Sequence, residues 1–198
     1  MFIYPHWTDK IYTYTQLKPN QKGMVIGAGF RSVFPDFETL DINPKTCPDH
    51  EIDLNNTPYP FENETFDKII AFSILEHLDE KIETLSELHR ILKPTGKLYI
   101  LVPHFSSYAT FVDPTHRHGF SALTLDYLIP GTKLQHEFGF YCDSRFKQNQ
   151  RLISLEAPLS WVPFISKVLS FYPTFWERYL CFVLRGEGVF WELEKINE

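Results

Sequence analysis

The sequence predicts an open, mainly parallel α/β sheet flanked by helices, and three observations carry that prediction. An apolar run, Met24 to Ile26, breaks into Gly27-Ala28-Gly29 and is followed by a second short run that ends at Asp41. Two later runs, Phe66 to Ser73 and Lys97 to Val102, are nearly continuous in apolar residues, as strands buried on both faces should be. Between them lies a segment with helical spacing, and alternation of helix with buried strand points to a parallel sheet. A chain of 198 residues falls within the range of about 100 to 200 usual for a single domain, so one core is expected.

Residues 1–22 are polar and aromatic, contain Pro5 and Pro19, and read as a lead-in that covers one edge or end of the sheet. Only eleven residues, Pro35 among them, separate Gly29 from Asp41. A crossover between parallel strands usually takes a dozen or more, so the first helix must be short or missing. The second strand is Glu38 to Ile42, closed by Asn43-Pro44, and a short third strand, His50 to Leu54, carries Asp53. Turn formers crowd residues 55–63, placing a loop on the same rim as the glycine turn. Phe66 to Ser73 is the expected central strand. Asp79 can cap a helix to about Leu92, with Ile82, Leu85, His89 and Leu92 along one face, and Lys93-Pro94-Thr95-Gly96 stops it.

From His104 to Gly119 there is no period, and a connection of that length in a compact domain is usually functional. Ser121 can cap a short helix, Ala122 to Leu128. Strands are expected near Arg151 to Glu156 and Gly188 to Ile196, the latter alternating Val189, Trp191 and Leu193 and so less buried. Between them Trp161 to Leu184 reads as one or two amphipathic helices split by Pro173.

Net charge is -6 and no Lys/Arg cluster is visible, which argues against a nucleic acid backbone as partner. Cys47, Cys142 and Cys181 are odd in number and widely spaced, as in a reducing compartment. The N-terminal residues lack the pattern of a signal peptide, and no apolar run reaches the roughly 20 residues that span a bilayer, so the cytoplasm is the expected location. A glycine turn closing one parallel strand and an acid closing the next suit a nucleoside: the turn admits close backbone approach, and the carboxylate can accept from both ribose hydroxyls.

The ordered motifs are more specific than any one of them. Asp53-Leu54, Pro58-Tyr59-Pro60-Phe61, Asn63-Glu64-Thr65-Phe66-Asp67, the apolar strand Ile69 to Phe72, Leu75-Glu76-His77 and Arg90-Ile91-Leu92-Lys93-Pro94-Thr95-Gly96 follow one another. In this the chain resembles a class I S-adenosylmethionine-dependent methyltransferase, of the small bacterial and archaeal type with a shortened first crossover. The resemblance covers residues 23–104 and implies a Rossmann-like, seven-stranded sheet, with residues 105–198 on the acceptor side. It implies S-adenosyl-L-methionine as cofactor: Gly27, Ala28 and Gly29 near its methionyl end, Asp41 on the ribose, Ile42 against the adenine, Asp53 and Leu54 reading the adenine edge, and Ser73 near the amino acid portion. Two positions depart from the family pattern: Val25 replaces an acid and Arg31 replaces a glycine.

Methyl transfer to a hydroxyl is helped by a base with a pKa near working pH, and the loop after the fifth strand supplies His104, His116 and His118, of which His116 or His118 is the expected base, with Asp113 as an orienting acid. His77 of the Leu-Glu-His motif is a further candidate. No metal site is expected. His116-x-His118 can point two imidazoles to one side, but no cysteine pair or clear third ligand accompanies them. The implied activity is methylation of a small-molecule or saccharide hydroxyl, the alternative being a noncatalytic cofactor- or nucleoside-binding protein or an interaction module. The aromatic run Trp161, Phe164, Phe171, Tyr172, Phe175, Trp176, Tyr179 and Phe182 is expected to form core or to cap the acceptor pocket, its alternatives being a homodimer face or a peripheral membrane surface.

Overall fold

In the computed structural model, residues 15–29, 34–156 and 163–196 are described. Seven strands form one sheet: β1 (Gly23–Ile26), β2 (Glu38–Asp41), β3 (His50–Glu51), β4 (Phe66–Phe72), β5 (Leu92–Pro103), β6 (Arg145–Leu155) and β7 (Gly186–Ile196). They lie in the order β3-β2-β1-β4-β5-β7-β6. Pairing is parallel from β3 to β5, while β7 runs antiparallel to both its neighbours. β4 is central, as expected from its apolar run Ile69 to Phe72.

Side chains alternate across a strand, and the two cores show that period directly. Met24, Ile26, Ile69, Ala71, Leu98 and Ile100 face one layer. Their sequence neighbours Val25, Ile70, Tyr99 and Leu101 face the other, where Phe34, Phe37 and Phe190 close it. Helix α1 (Lys81–Ile91) covers the first layer. It starts one residue later than expected, with Glu80 rather than Asp79 at the cap position and no side-chain cap bond, while Asp79 pairs with Arg117. Its buried face is Thr84, Leu85, Leu88 and Ile91. Ile82 is 37% exposed, and Leu92 already begins β5.

Among the described residues between β1 and β2 there is no helix, in line with the shortened crossover; Arg31 lies outside them. The third strand is shorter than expected, leaving Asp53 in a turn. Strand β7 corrects the expectation of low burial: it inserts between β5 and β6, and Val189, Trp191 and Leu193 are fully buried. Alternation marks one-sided burial only where the intervening residues are polar, and here Phe190 fills the opposite face.

After β5 come α2 (Ala109–Val112), a 3-10 turn at Thr124–Leu128, and α3 (Lys133–Phe138). The helix expected over Ala122 to Leu128 with Ser121 as cap is instead this shorter 3-10 turn with Leu123 at its cap position, and the Ser121 hydroxyl accepts from the Leu123 N–H. Helices α4 (Pro163–Phe171) and α5 (Pro173–Tyr179) are split at Pro173 as expected. The aromatic run does not form core as a whole. Trp176 is buried, but Phe164, Phe171, Tyr172, Phe175, Tyr179 and Phe182 are exposed; Trp161 lies outside the described residues. Among those residues no helix is long and apolar enough to cross a membrane.

Candidate active site

The carboxyl ends of the parallel strands define one rim, and the sheet order makes β1 and β4 neighbours at its centre. Gly27 and Gly29 leave β1 with φ of 63° and 59°, a region that L side chains rarely enter. A Cβ on Gly27 would come within 2.7 Å of Ile74, the residue after Ser73, so glycine there lets the turn pack against the exit of β4. Among the described residues nothing lies within 4 Å of where a Cβ on Gly29 would stand.

Asp41 ties the turn to the end of β2. Its Oδ2 accepts from the Gly29 N–H at 2.8 Å, and its Oδ1 accepts from the Asn43 N–H at 2.9 Å. The Ala28 N–H donates to the Leu40 carbonyl. Ile42, next in the chain, is 61% exposed, an apolar face on the rim with no protein packed over most of it. These residues fit the cofactor that the resemblance implies. A carboxylate has room for about four hydrogen bonds, so Asp41 can hold the turn and still accept from ribose hydroxyls. Asp53 accepts from the Asn55 N–H, forming a turn, and Leu54 is buried with its carbonyl bonded to the Tyr59 hydroxyl. Val25 faces the second core layer, so the missing acid is replaced by packing.

At the exit of β4, Ser73 takes φ of 51° and its N–H bonds to the Leu101 carbonyl. The chain then tightens into a 3-10 turn, Leu75–His77. The long loop after β5 folds back onto it: the Arg117 N–H donates to the Glu76 carbonyl, and the His77 and His116 rings stand edge to face at 4.6 Å. His116 Nε2 lies 3.9 Å from Glu76 Oε1 and 4.0 Å from Asp113 Oδ2. Burial pushes the Glu76 carboxyl up to about 7, with the nearby Asp113 charge adding to it. Burial also lowers His77, with His116 contributing. Bonds from Thr115 hold Asp113 below the usual carboxylate range.

His77, Asp113 and His116 are thus brought together, and the structure adds Glu76 and Thr115, which sequence reasoning missed. Glu76 stands inside the Leu-Glu-His motif, so its signal was present; its burial was not.

The other two histidines lie apart from this cluster. His118 is exposed and sits among Lys81, Asp79 and Arg117, its pKa lowered mainly by burial with Lys81 adding. His104 is fully buried, its Nδ1 on the Ser106 hydroxyl at 2.8 Å, its Nε2 facing Glu177 at 3.2 Å, and its ring against Trp176. A cleft of about 320 Å³ lined by Lys18, Asp67, Lys68, Lys93 and Lys97 lies at the opposite ends of β4 and β5, away from this rim.

Comparison with known proteins agrees with this layout. A family model described as a methyltransferase domain matches residues 35–100. No curated protein matches in sequence. Among solved structures, an S-adenosylmethionine-dependent methyltransferase from Archaeoglobus fulgidus superposes with a TM-score of 0.62 at 15% identity, over 96% of this chain and 91% of its own. One from Mesorhizobium loti gives 0.58 at 12% identity, over 96% and 97%. The cyclase SpnF gives 0.58 at 13%, over 98% and 81%; a shared fold does not by itself fix the reaction. Residues 35–100 match a methyltransferase-domain family model and the sheet runs in the class I order, so the chain has the Rossmann-like fold of class I S-adenosylmethionine-dependent methyltransferases.

Proposed function

We propose that the protein methylates a hydroxyl on a small molecule or saccharide, using the Gly27-Ala28-Gly29 turn, Asp41, Ile42, Asp53, Leu54 and Ser73 to hold the cofactor and the cluster around His116 to handle the acceptor's proton. When bound, S-adenosylmethionine supplies a methyl group on a positively charged sulfur. The chain's own residues then have two tasks: to align the acceptor oxygen with that methyl group, and to receive a proton.

The observation that carries the reading is the convergence of His116, His77 and Glu76 on the turn that leaves β4, three residues beyond the position assigned to the cofactor's amino acid end. His116 Nδ1 meets the Thr110 carbonyl at 3.2 Å. A carbonyl only accepts, so Nδ1 carries the proton and Nε2 presents a lone pair. As the carbon–oxygen bond forms and the carbon–sulfur bond breaks, the hydroxyl proton passes to His116 Nε2. His104, enclosed and bonded on both nitrogens, is assigned a structural role, and the exposed His118 is left outside the reacting group.

Calorimetry with S-adenosylhomocysteine, followed by labelled-methyl transfer to a panel of hydroxyl acceptors, tests this. The expected result is binding, then turnover that falls about 100-fold or more in His116→Ala and much less in His118→Ala. Absence of binding, or unchanged turnover with both histidines removed, would overturn it.

A further inference from the structure

Glu76 is 1% exposed, yet neither of its carboxylate oxygens has a hydrogen-bond partner among the described residues. Buried polar atoms are nearly always bonded, and a carboxylate left without a donor calls for a proton, a water or an ion. Two neighbours bear on which of these it is.

His116 donates its Nδ1 proton to the Thr110 carbonyl, which leaves Nε2 as a lone-pair nitrogen on the Glu76 side, 3.9 Å from Oε1. His77 is set in the same tautomer by a short relay. Its Nδ1 meets the Thr115 hydroxyl at 2.9 Å, and that hydroxyl gives its own proton to Asp113 Oδ1 at 2.6 Å. The hydroxyl therefore accepts from His77, whose Nε2 keeps its lone pair. Each ring is oriented by the bond at its Nδ1, as metal-binding histidines usually are, which leaves Nε2 as the candidate ligand atom. One ligand atom from each of Glu76, His77 and His116 lies within 4.8 Å of the others. Ligands about 2.0–2.1 Å from a zinc ion stand about 3.4 Å apart in a tetrahedron, so closure needs side-chain shifts of about 1 Å.

From this the geometry points to a divalent transition-metal ion of the zinc type, held by Glu76, His77 and His116. Two imidazoles and one carboxylate form the donor set of a site that keeps a position open, and imidazole nitrogen disfavours magnesium or calcium. His77 is only partly buried, which leaves the open position on the rim side. The third ligand that the sequence lacked beside His116 comes from the Leu-Glu-His motif forty residues earlier, and His118 has no part in it. Binding of the ion stands on these three side chains alone. Its use rests on the methyltransferase reading: an acceptor hydroxyl in the open position would release its proton to water near neutral pH, and the ion would replace His116 in ionising the acceptor. The carbon–oxygen bond still forms as the carbon–sulfur bond breaks.

The test is titration of the chelator-treated full chain with Zn²⁺ by calorimetry, with Co²⁺ as an absorption probe, in the absence of cofactor and acceptor. One equivalent is expected, with a Kd of about 1 μM or tighter. The isosteric Glu76→Gln should weaken binding at least 10-fold, as should His116→Ala and His77→Ala, each checked for folding by circular dichroism. Thr115→Val, which removes the relay to His77, should cost about 10-fold. His118→Ala should bind as the parent does. No Zn²⁺ binding, or binding that survives Glu76→Gln together with His116→Ala, would overturn the site, as would loss of binding in His118→Ala alone. Zn²⁺ binding without S-adenosylhomocysteine binding would sink only the methyltransferase reading, and the converse only the metal site.

Discussion

Two buried histidine–glutamate pairs flank the loop after β5, and they differ in one respect: how many hydrogen bonds the glutamate makes. Glu177, on α5, accepts from the Ser121 hydroxyl at 2.6 Å, the Ala122 N–H at 2.6 Å and His104 at 3.2 Å. Glu76 accepts from nothing among the described residues. Burial alone would raise both carboxyls. At Glu177 the bonds outweigh burial and hold it below the usual range, whereas at Glu76 burial prevails and carries it to about 7. A satisfied pair fastens elements together; an unsatisfied one is poised for a ligand or a proton.

The largest expected effect falls on the satisfied pair. Glu177→Ala leaves the fully buried His104 and the Ala122 N–H without their acceptor and should destabilise the fold by about 3–5 kcal/mol, read from urea denaturation. A loss below about 1 kcal/mol would mean that the two pairs do not differ as described.

Next in size is a pH dependence of opposite sign in the two pairs. The Glu76 carboxyl has a higher pKa folded, about 7, than the ordinary glutamate value of 4.5. The folded chain therefore binds the extra proton between those values, and stability is lost as pH rises through that window, by about 3 kcal/mol. In metal-free protein, Glu76→Gln should remove this slope, and its stability relative to the parent should rise from pH 4.5 to 7. Glu177 is depressed, so its contribution is present above its unfolded pKa and is lost as pH falls through the folded one. Glu177→Gln should accordingly approach the parent on acidification. Denaturant midpoints across pH check both, and parallel slopes for the two variants would erase the distinction.

A smaller effect is expected where the rim is built from backbone. Asp41→Ala releases the Gly29 and Asn43 N–H groups and removes the proposed ribose acceptor, so S-adenosylhomocysteine affinity should fall about 10- to 100-fold, or about 1.4–2.8 kcal/mol. Calorimetry would show an unchanged affinity if the carboxylate only holds the turn.

The parts of the fold legible beforehand were those with local causes. Phe66 to Phe72 had to be central because no polar residue interrupts it from Ile69 onward, and Pro173 had to divide the last helices because it lacks an N–H. The face of α1 was read one step off, since the identity of the covering layer decides which of several apolar stripes is buried. β7 was misjudged for a similar reason: its neighbours on both sides, not its own pattern, bury it.

At the candidate site the division is sharper. Sequence alone determined the glycine turn, Asp41 and the Leu-Glu-His motif, because φ preference, strand ends and short-range spacing are encoded within a few residues. It also placed five candidates, four histidines and Asp113, in or near one loop and favoured His116 or His118 as the base without separating the two. Only the tertiary structure could separate His104, enclosed by Glu177, Ser106 and Trp176, from His116, set against a carboxylate 40 residues away in sequence. Hydrogen-bond satisfaction depends on partners brought in from distant segments, and no local pattern records which carboxylate will be left without one.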